Sequence, residues 1–212
     1  MIPLDDIRIY LPKYLSKISE DDLFEDLTQF EQASGNRNYY TRYRHPDLSV
    51  ICQGDGINDL LLINLPSSKI QPGPGMIVSN TCDVDIHNKR LRTTSACYCP
   101  IFRLSKYKAA LLGSGEQEVT VNKHIESIRL QRVSNFFYLP LGGGLEENSF
   151  VAFDKICNCS SEAIPRQTVE AKRIFTLSNF GFYLFLLKLS IHFTRIREGI
   201  DRDIPSFDIN PN

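Results

Sequence analysis

The chain contains no tryptophan and only two methionines, and it has almost no net charge, since 24 basic side chains face 25 acidic ones. A formal charge of −1 excludes a global basic field, so binding to nucleic acid or to an anionic membrane would need a local patch. The first 15 residues lack the basic start and continuous apolar core of a signal peptide, and we therefore expect a cytoplasmic protein. The apolar run at 180–187 is too short to cross a bilayer, so no membrane partner is expected.

The patterns along the 212 residues predict a single α+β domain. Its predicted parts are an N-terminal extension at 1–47, a β-sheet core at 48–175 with a helical insertion at 105–133, a C-terminal helix at 176–199 and a tail at 200–212. Ser19 is the predicted N-cap of a helix in the extension, and Gly35 ends that helix. The run "LSVICQGD" predicts a strand at 48–55, whereas "SSKIQPGPG" at 67–75 predicts a loop.

Two segments combine basic and aromatic or polar residues. The stretch "NRNYYTRYRHPD" at 36–47 alternates cations with tyrosines, a pattern that binds phosphates and stacks on bases. The segment "HNKRLR" at 87–92 is also basic. The residues expected to bind nucleic acid are Arg37, Tyr40, Arg42, Tyr43, Arg44, Lys89 and Arg90. The alternative for 36–47 is an edge strand whose tyrosines pack while its arginines are solvated.

The stretch "GMIVSNTCDVD" at 75–85 begins like a buried strand and ends in small polar or reactive residues. Cys82 is a candidate nucleophile with Asp83 and His87 nearby in the sequence, although an adjacent carboxylate disfavours a thiolate. Asp83, Asp85 and Asn80 form a second candidate, a site for a divalent cation. The interpretation that we favour is a turn in which Ser, Asn, Thr and Asp side chains bond local backbone N–H groups.

Six cysteines include two C-x-C pairs, at 97–99 and 157–159. Paired cysteines of structural zinc sites are usually two to four residues apart, and a single spacer in a strand equally describes two small core residues. Reduced, buried thiols are the favoured interpretation, and no metal or cofactor is expected.

The C-terminal helix is apolar on most of its surface, which predicts that it is buried. Phe180, Phe182, Tyr183 and Phe185 suit either packing across the sheet or an oligomer interface, and we expect a homo-oligomer formed through this helix. Lys188, His192 and Arg195 form its narrow polar stripe.

The order of the β segments resembles the PemK/MazF-like toxins, a family of small SH3-like barrels that cleave RNA, over roughly residues 53–177. The segments that carry the resemblance are "QGDGINDLLLINL", "PGPGMIVSN", "FFYLPLGGGLEENSFVAFDKICNCS" and "RIFTLS". The resemblance implies a small antiparallel β-barrel that carries an N-terminal helix, the helical insertion and the long C-terminal helix.

The family pattern has an arginine before the proline of one strand and a Thr or Ser after a Pro-Ile pair. This chain has Gly73-Pro74 at the first position and Phe102-Arg103 at the second, so both groups are missing. We therefore expect a non-catalytic component of a bacterial toxin–antitoxin or phage-defence system that binds RNA, DNA or a protein partner such as an antitoxin. One alternative is a zinc-stabilised module. The other is a metal-independent endoribonuclease with a relocated site, for which the candidate residues are His87, Asp83, Arg92, Arg103 and Cys82.

Overall fold

The computed structural model describes residues 39–42, 47–85, 87–88, 91–164 and 166–194. The strands are β1 (Gly56–Ile63), β2 (Ile70–Ile77), β3 (Ser95–Arg103), β4 (Phe136–Leu139), β5 (Ser149–Ala152), β6 (Cys157–Ser160) and β7 (Arg173–Phe175). The helices are α1 (Thr81–Val84), α2 (Leu104–Gly113), α3 (Glu118–Arg129), α4 (Val169–Lys172) and α5 (Asn179–Thr194). The predicted α+β class is confirmed, and the predicted N-terminal helix lies outside the described residues.

The seven strands form one sheet in the order β4-β5-β3-β2-β1-β7, and β6 also pairs with β3. Each pairing among the described strands is antiparallel. Strand β3 is shared by several partners, because its residues 95–98 pair with β6, 98–100 with β2 and 101–103 with β5. The turn at 153–156 divides the run "SFVAFDKIC" into β5 and the start of β6.

The sheet is open, so the closed SH3-like barrel that the resemblance implies is not seen. Strands β4 and β7 are its edges, and no backbone ladder joins β1 to β6 among the described strands. The end of β1 nevertheless lies beside the start of β6, where the Cys157 thiol donates to the Ile63 carbonyl at 3.4 Å. The sheet is thus curled without being closed by backbone pairing.

Tyr40 lies between the two edges of the sheet. Its ring packs on Phe175 of β7 with centroids 5.0 Å apart, and its hydroxyl donates to the carbonyl of Pro140, just after β4, at 2.6 Å. The loop that follows β4 approaches β7 at Gly144, where a Cβ atom would lie 2.6 Å from the Ile174 carbonyl oxygen. A side chain and a glycine loop therefore fill the gap between the edges.

The first core lies between the sheet and α5. Its buried sheet members are Met76, Cys99, Ile101, Phe137, Leu139, Val151, Phe153 and Phe175, and its α5 members are Phe180, Tyr183, Leu184 and Phe185. These α5 side chains belong to the core of their own chain, so the helix packs across the sheet. The prediction of a homo-oligomer formed through α5 is not tested by this packing.

Lys188, which belongs to the narrow polar stripe of α5, is buried. Its Nζ donates to the carbonyl oxygens of Gln131 and Val133 at 2.7 Å each. These carbonyls belong to the segment between α3 and β4, where buried backbone groups must find partners outside a helix or a ladder. Desolvation lowers the pKa of Lys188 to about 8.

The second core lies on the other face of the curled strands. Its buried members are Ile51, Ile57, Leu60, Ile77, Val84, Ala96, Tyr98, Cys157, Ile164 and Val169. A third cluster, which packs α2 and α3 against β4 and β5, consists of Leu104, Ile128, Tyr138, Phe150 and Ala152. Side chains alternate between faces along β3, β4 and β5, so each of these strands contributes to two clusters.

Residues 48–55 form no strand, contrary to the prediction. The Arg173 guanidinium donates to the Val50 carbonyl at 2.6 Å, and its Nε lies 3.7 Å from Oδ2 of the fully buried Asp55. The same carboxylate oxygen accepts from the Cys52 backbone N–H at 2.9 Å. Burial raises the pKa of Asp55, and Arg173 partly offsets this effect. Side chains rather than a ladder therefore bind the backbone of this segment.

The predicted loop at 67–75 is wrong from Ile70 onward, because these residues belong to β2. Strand β2 pairs with β1 as far as Ile70, but it pairs with β3 only from Gly75 to Ile77. Pro72 and Pro74 therefore lie where the strand has one partner. Proline has no N–H to donate and is tolerated at such an edge, so the "QPGPG" composition marks an edge strand here.

Candidate functional site

The candidate site is a corner, residues 78–85 and 87–88, that connects β2 to the segment before β3. Helix α1 forms one turn of this corner, and the Asn80 side chain caps it by accepting from the Cys82 N–H at 2.9 Å. The Asp85 N–H donates to the Thr81 carbonyl at 3.0 Å, which closes the turn. The sequence favoured a turn fixed by its own side chains here, and the Asn80 side chain forms such a bond.

Two hydroxyl groups attach the corner to its neighbours rather than to local backbone. Ser79 Oγ accepts from the Cys97 N–H of β3 at 2.7 Å. Thr81 Oγ1 accepts from the Gln53 N–H at 3.0 Å, and the Gln53 side chain donates to the Val78 carbonyl at 2.8 Å. The corner is therefore held on both sides by residues distant in sequence, which makes it rigid.

Arg166 and Thr94 support the corner through bonds to its backbone carbonyls. The Arg166 guanidinium donates to the Val84 carbonyl at 2.6 Å, and the Thr94 hydroxyl donates to the Asp83 carbonyl. Desolvation lowers the pKa of Arg166, and the nearby Asp85 carboxylate opposes this shift. A half-buried cation thus contacts the end of α1 in the corner.

His87 and Asp47 form an exposed side-chain contact with 3.4 Å between Nε2 and Oδ2. Hydrogen bonds from Ser49, followed by the contact with His87, hold the pKa of Asp47 below its usual range. The His87 backbone N–H donates to Asp85 Oδ1 at 2.9 Å, and the Asn88 side chain donates to the Cys82 carbonyl at 2.8 Å. The end of the 36–47 stretch therefore meets the start of the 87–92 segment.

The structure places the predicted catalytic residues at opposite ends of β3. Asp83 lies at the start of β3 through its contact with Thr94, and Arg103 is the last residue of the strand. Eight residues at about 3.3 Å each separate the two ends by about 26 Å along the strand. Arg103 instead donates to Glu146 at 3.0 Å, and its Nε lies 3.6 Å from Glu147. Arg103 therefore does not join Asp83, His87 and Cys82.

The predicted nucleic-acid-binding residues differ in placement. Arg42 is exposed, and so is Arg92, which lies in the same basic segment as Lys89 and Arg90 but was predicted as a catalytic candidate. Tyr40 is buried between the sheet edges, so its ring is not available to stack on a base. The remaining residues of this set, Arg37, Tyr43, Arg44, Lys89 and Arg90, lie outside the described residues.

The two C-x-C pairs face opposite sides of the sheet. Cys159 lies opposite Ala96 and Cys157 opposite Tyr98, and directly opposed residues in an antiparallel pair share a face. Cys97 and Cys99 alternate with these positions and so face the other side. One tetrahedral zinc site cannot use all four thiols. Burial raises the pKa of Cys99 to about 12, as expected for a core thiol.

The cation site considered for Asn80, Asp83 and Asp85 is also not assembled. Asn80 Oδ1 and Asp85 Oδ1 each accept a backbone N–H of the corner. Within the described ranges, no group of three or more His, Cys, Asp or Glu side chains is placed to hold a metal ion.

Three residues that contact the corner were not predicted from the sequence. Asp47, Gln53 and Arg166 come from segments far from 78–88, so no local spacing connects them to it. One local signal was present at Asp47, since an Asp followed two residues later by Ser forms a side-chain turn, here with Ser49 N–H and Oγ donating to Oδ1.

Comparison of this chain with protein-family models and with curated proteins gives no match. In the part of the chain that the structure describes, no helix has the length and apolar character needed to cross a bilayer.

Proposed function

We propose that this chain is a non-catalytic nucleic-acid-binding module in which the corner and the two segments that meet there contact the phosphate backbone. The resemblance to PemK/MazF-like toxins supports two finer parts of the proposal, an SH3-like arrangement of the curled strands and a place in a bacterial toxin–antitoxin or phage-defence system.

The contact between Asp47 and His87 carries this proposal. It brings together the two segments whose composition favours nucleic acid, although about 40 residues separate them in the sequence. Arg42 of the first segment and Arg92 of the second are both exposed. A chain with a net charge of −1 binds a polyanion only where cations are gathered, and folding gathers two basic segments here.

The rigidity of the corner also supports binding. Hydrogen bonds from Gln53 to the Thr81 hydroxyl, from Cys97 to the Ser79 hydroxyl and from Arg166 to the Val84 carbonyl hold the corner in place. A preformed surface loses little conformational entropy when a ligand binds, so more of the interaction free energy appears as affinity.

The separation of the candidate catalytic groups favours binding without cleavage. Cleavage of RNA through its 2′-hydroxyl needs proton-transfer groups and a cation at the same phosphate. Arg103 is at the far end of β3 and is occupied by Glu146 and Glu147. Arg103 therefore cannot serve a phosphate at the corner, and of the two candidate cations of the relocated ribonuclease site only Arg92 belongs to a segment that meets the corner.

Cleavage remains the alternative that one observation favours. Asp47 holds the exposed His87 ring, and a carboxylate that orients an imidazole is a frequent arrangement in general acid–base catalysis. If the chain cleaves RNA in the absence of metal and His87→Ala removes this activity, the non-catalytic proposal is wrong.

The proposal is tested by salt-dependent binding of a labelled single-stranded RNA and a labelled DNA duplex. Removing two phosphate contacts with Arg42→Ala and Arg92→Ala should weaken binding and reduce the slope of log K against log salt by about 1.4 for the single strand. The matched control is Lys106→Ala with Lys123→Ala, which removes the same charge from exposed positions on α2 and α3.

The control variant should bind nearly as the unmodified chain does. Equal losses in both double variants would show a general charge effect and contradict a site at the corner. Failure of the unmodified chain to bind either probe at low salt would reject nucleic acid as the ligand and favour a protein partner.

A further inference from the structure

The hairpin formed by β1 and β2 exposes an apolar face that the proposed function does not use. The side chains that form this face are Leu61, Ile63, Leu65, Ile70 and Ile156, and each is between 38% and 76% exposed. We refer to these five residues as the hairpin face. Exposed apolar side chains usually occur singly, and five that adjoin require an explanation.

The strand register shows that Leu61, Ile63 and Ile70 share one surface of the hairpin. Ile63 pairs with Ile70 and Leu61 with Pro72, so these side chains project from the same surface of the hairpin. Leu62 points the other way and packs against the second core.

Residues 155–157 adjoin the hairpin at its tip. Lys155 Nζ donates to Asn64 Oδ1 at 3.3 Å, and the Cys157 thiol donates to the Ile63 carbonyl at 3.4 Å. Cys157 faces the second core, so alternation along the chain directs Ile156 outward beside Ile63. Ile156 therefore extends the hairpin face across the neighbouring turn.

We propose that the hairpin face is a self-association surface that binds the same face of a second copy of this chain. A two-fold symmetric contact sets a surface against itself, so it needs no complementary charge pattern. The segment from Leu60 to Gly75 contains one cation, Lys69, and no anion. Surfaces that select a different partner usually do so with opposite charges, which this face does not offer.

The area of the hairpin face fits such a contact. Its five side chains expose on the order of 500 Å², which is near the upper end for the largest apolar patch on a monomer. A symmetric contact would bury twice this, on the order of 1,000 Å², which is about the smallest total for a specific protein interface. We therefore expect a reversible dimer rather than an obligate one.

The geometry of β2 favours contact through the face rather than through the strand edge. An open edge can pair with a strand of another copy, but Pro72 and Pro74 occupy the part of β2 that lacks a β3 partner. Proline lacks the N–H that such pairing needs, so this part of the edge is protected. The apolar face has no similar protection.

The test is the concentration dependence of mass, measured by sedimentation equilibrium on the full chain. The unmodified chain should approach twice its 24.2 kDa mass at high micromolar concentration. Ile70→Asp would place a carboxylate against apolar side chains in the contact and should raise the dissociation constant at least about tenfold. Leu61→Lys tests the same face with the opposite charge and should have the same effect.

The matched control is Val119→Asp, which makes the same kind of change at an exposed apolar residue of α3. It should leave self-association unchanged. A monomer at every concentration, or a dimer that persists in both Ile70→Asp and Leu61→Lys, would overturn the proposal. Loss of the dimer in Phe182→Asp alone would instead place the interface on α5. None of these outcomes depends on nucleic-acid binding.

Discussion

The first and second cores lie on opposite faces of the same sheet, but they are completed in different ways. One long helix covers the first core with large aromatic side chains such as Phe180, Tyr183 and Phe185. Short segments cover the second core, including α1, α4 and the 48–55 region, through residues such as Ile51, Val84 and Val169. Apolar contact area therefore dominates on one face, and specific hydrogen bonds to backbone groups hold the other.

This difference explains where a binding site can form. In a helix that packs through its side chains, the backbone N–H and C=O groups bond to each other. Few polar groups are therefore left at its surface. Short turns must obtain partners for their N–H and C=O groups from elsewhere, and Gln53, Arg166 and Arg173 provide them here. The second face consequently carries a dense polar layer whose outer members include His87 and Asp47.

The strongest test of the comparison is a large-to-small change in the first core. Phe185 is fully buried, and its ring lies 5.7 Å from that of Phe137 and 6.0 Å from that of Phe153. Phe185→Ala removes this packing and leaves a cavity, which should lower the free energy of unfolding by about 3–5 kcal/mol. Urea unfolding followed by circular dichroism measures the change.

The control is Phe193→Ala on the same helix, where the side chain is 60% exposed. This substitution should change the free energy of unfolding by no more than about 0.5 kcal/mol, as for most surface substitutions. Similar costs for the two variants would mean that α5 is not buried as described.

A second test measures how Lys188, the buried lysine of α5, makes the free energy of unfolding depend on pH. The pKa of Lys188 is about 8 in the folded chain, below its ordinary value of 10.5. Between these values the unfolded chain binds more protons, so the contribution of Lys188 to stability increases as pH rises from 8 to 10.5 and is constant below 8. The expected increase is at most about 3 kcal/mol.

This effect is isolated by comparison with Lys188→Met, because the raised pKa of Cys99 acts in the opposite direction above pH 9. Urea unfolding of both proteins from pH 7 to 10.5 gives the difference in free energy at each pH. The difference should grow in favour of the unmodified chain above pH 8. A difference that falls with pH would mean that the pKa of Lys188 is not lowered.

The smallest expected effect concerns one hydroxyl group in the second core. Tyr98 is fully buried, and its OH donates to the Leu61 carbonyl across the curl of the strands at 2.6 Å. Tyr98→Phe removes this donor and should cost about 1–2 kcal/mol in urea unfolding. Tyr40→Phe is the counterpart at the first core, where the OH donates to Pro140 at the same distance. If Tyr98→Phe leaves the free energy of unfolding unchanged, packing alone holds the curled strands together.

Prediction from sequence succeeded where a segment is governed by its own pattern. The run "SKYKAALL" predicts a helix that ends at a Gly-Ser-Gly break, and α2 ends at Gly113. The apolar surface of the C-terminal helix predicts burial, and its residues Phe180, Tyr183, Leu184 and Phe185 are buried. Prediction failed at 48–55, where Asp55 and Arg173 replace a ladder, because an ion pair across more than 100 residues leaves no periodic signal.

The candidate site was predicted in part for the same reason. The polar residues after β2 indicated a turn, and Asn80 acts as predicted. The partners Asp47 and Arg166 could not be found from local spacing, since the topology of the sheet brings them to the corner. The same topology separates Arg103 from the corner by the full length of β3.

The sequence by itself determined the α+β class, the helical insertion that contains α2 and α3, and the apolar character that buries one side of α5. These features follow from hydrophobic periodicity and from glycine and proline positions, which act over a few residues. Only the tertiary structure decided that the sheet stays open, that Lys188 is buried, that the C-x-C pairs face apart and that Asp47 meets His87. Each of these depends on strand register and on contacts between distant segments, which local patterns do not encode.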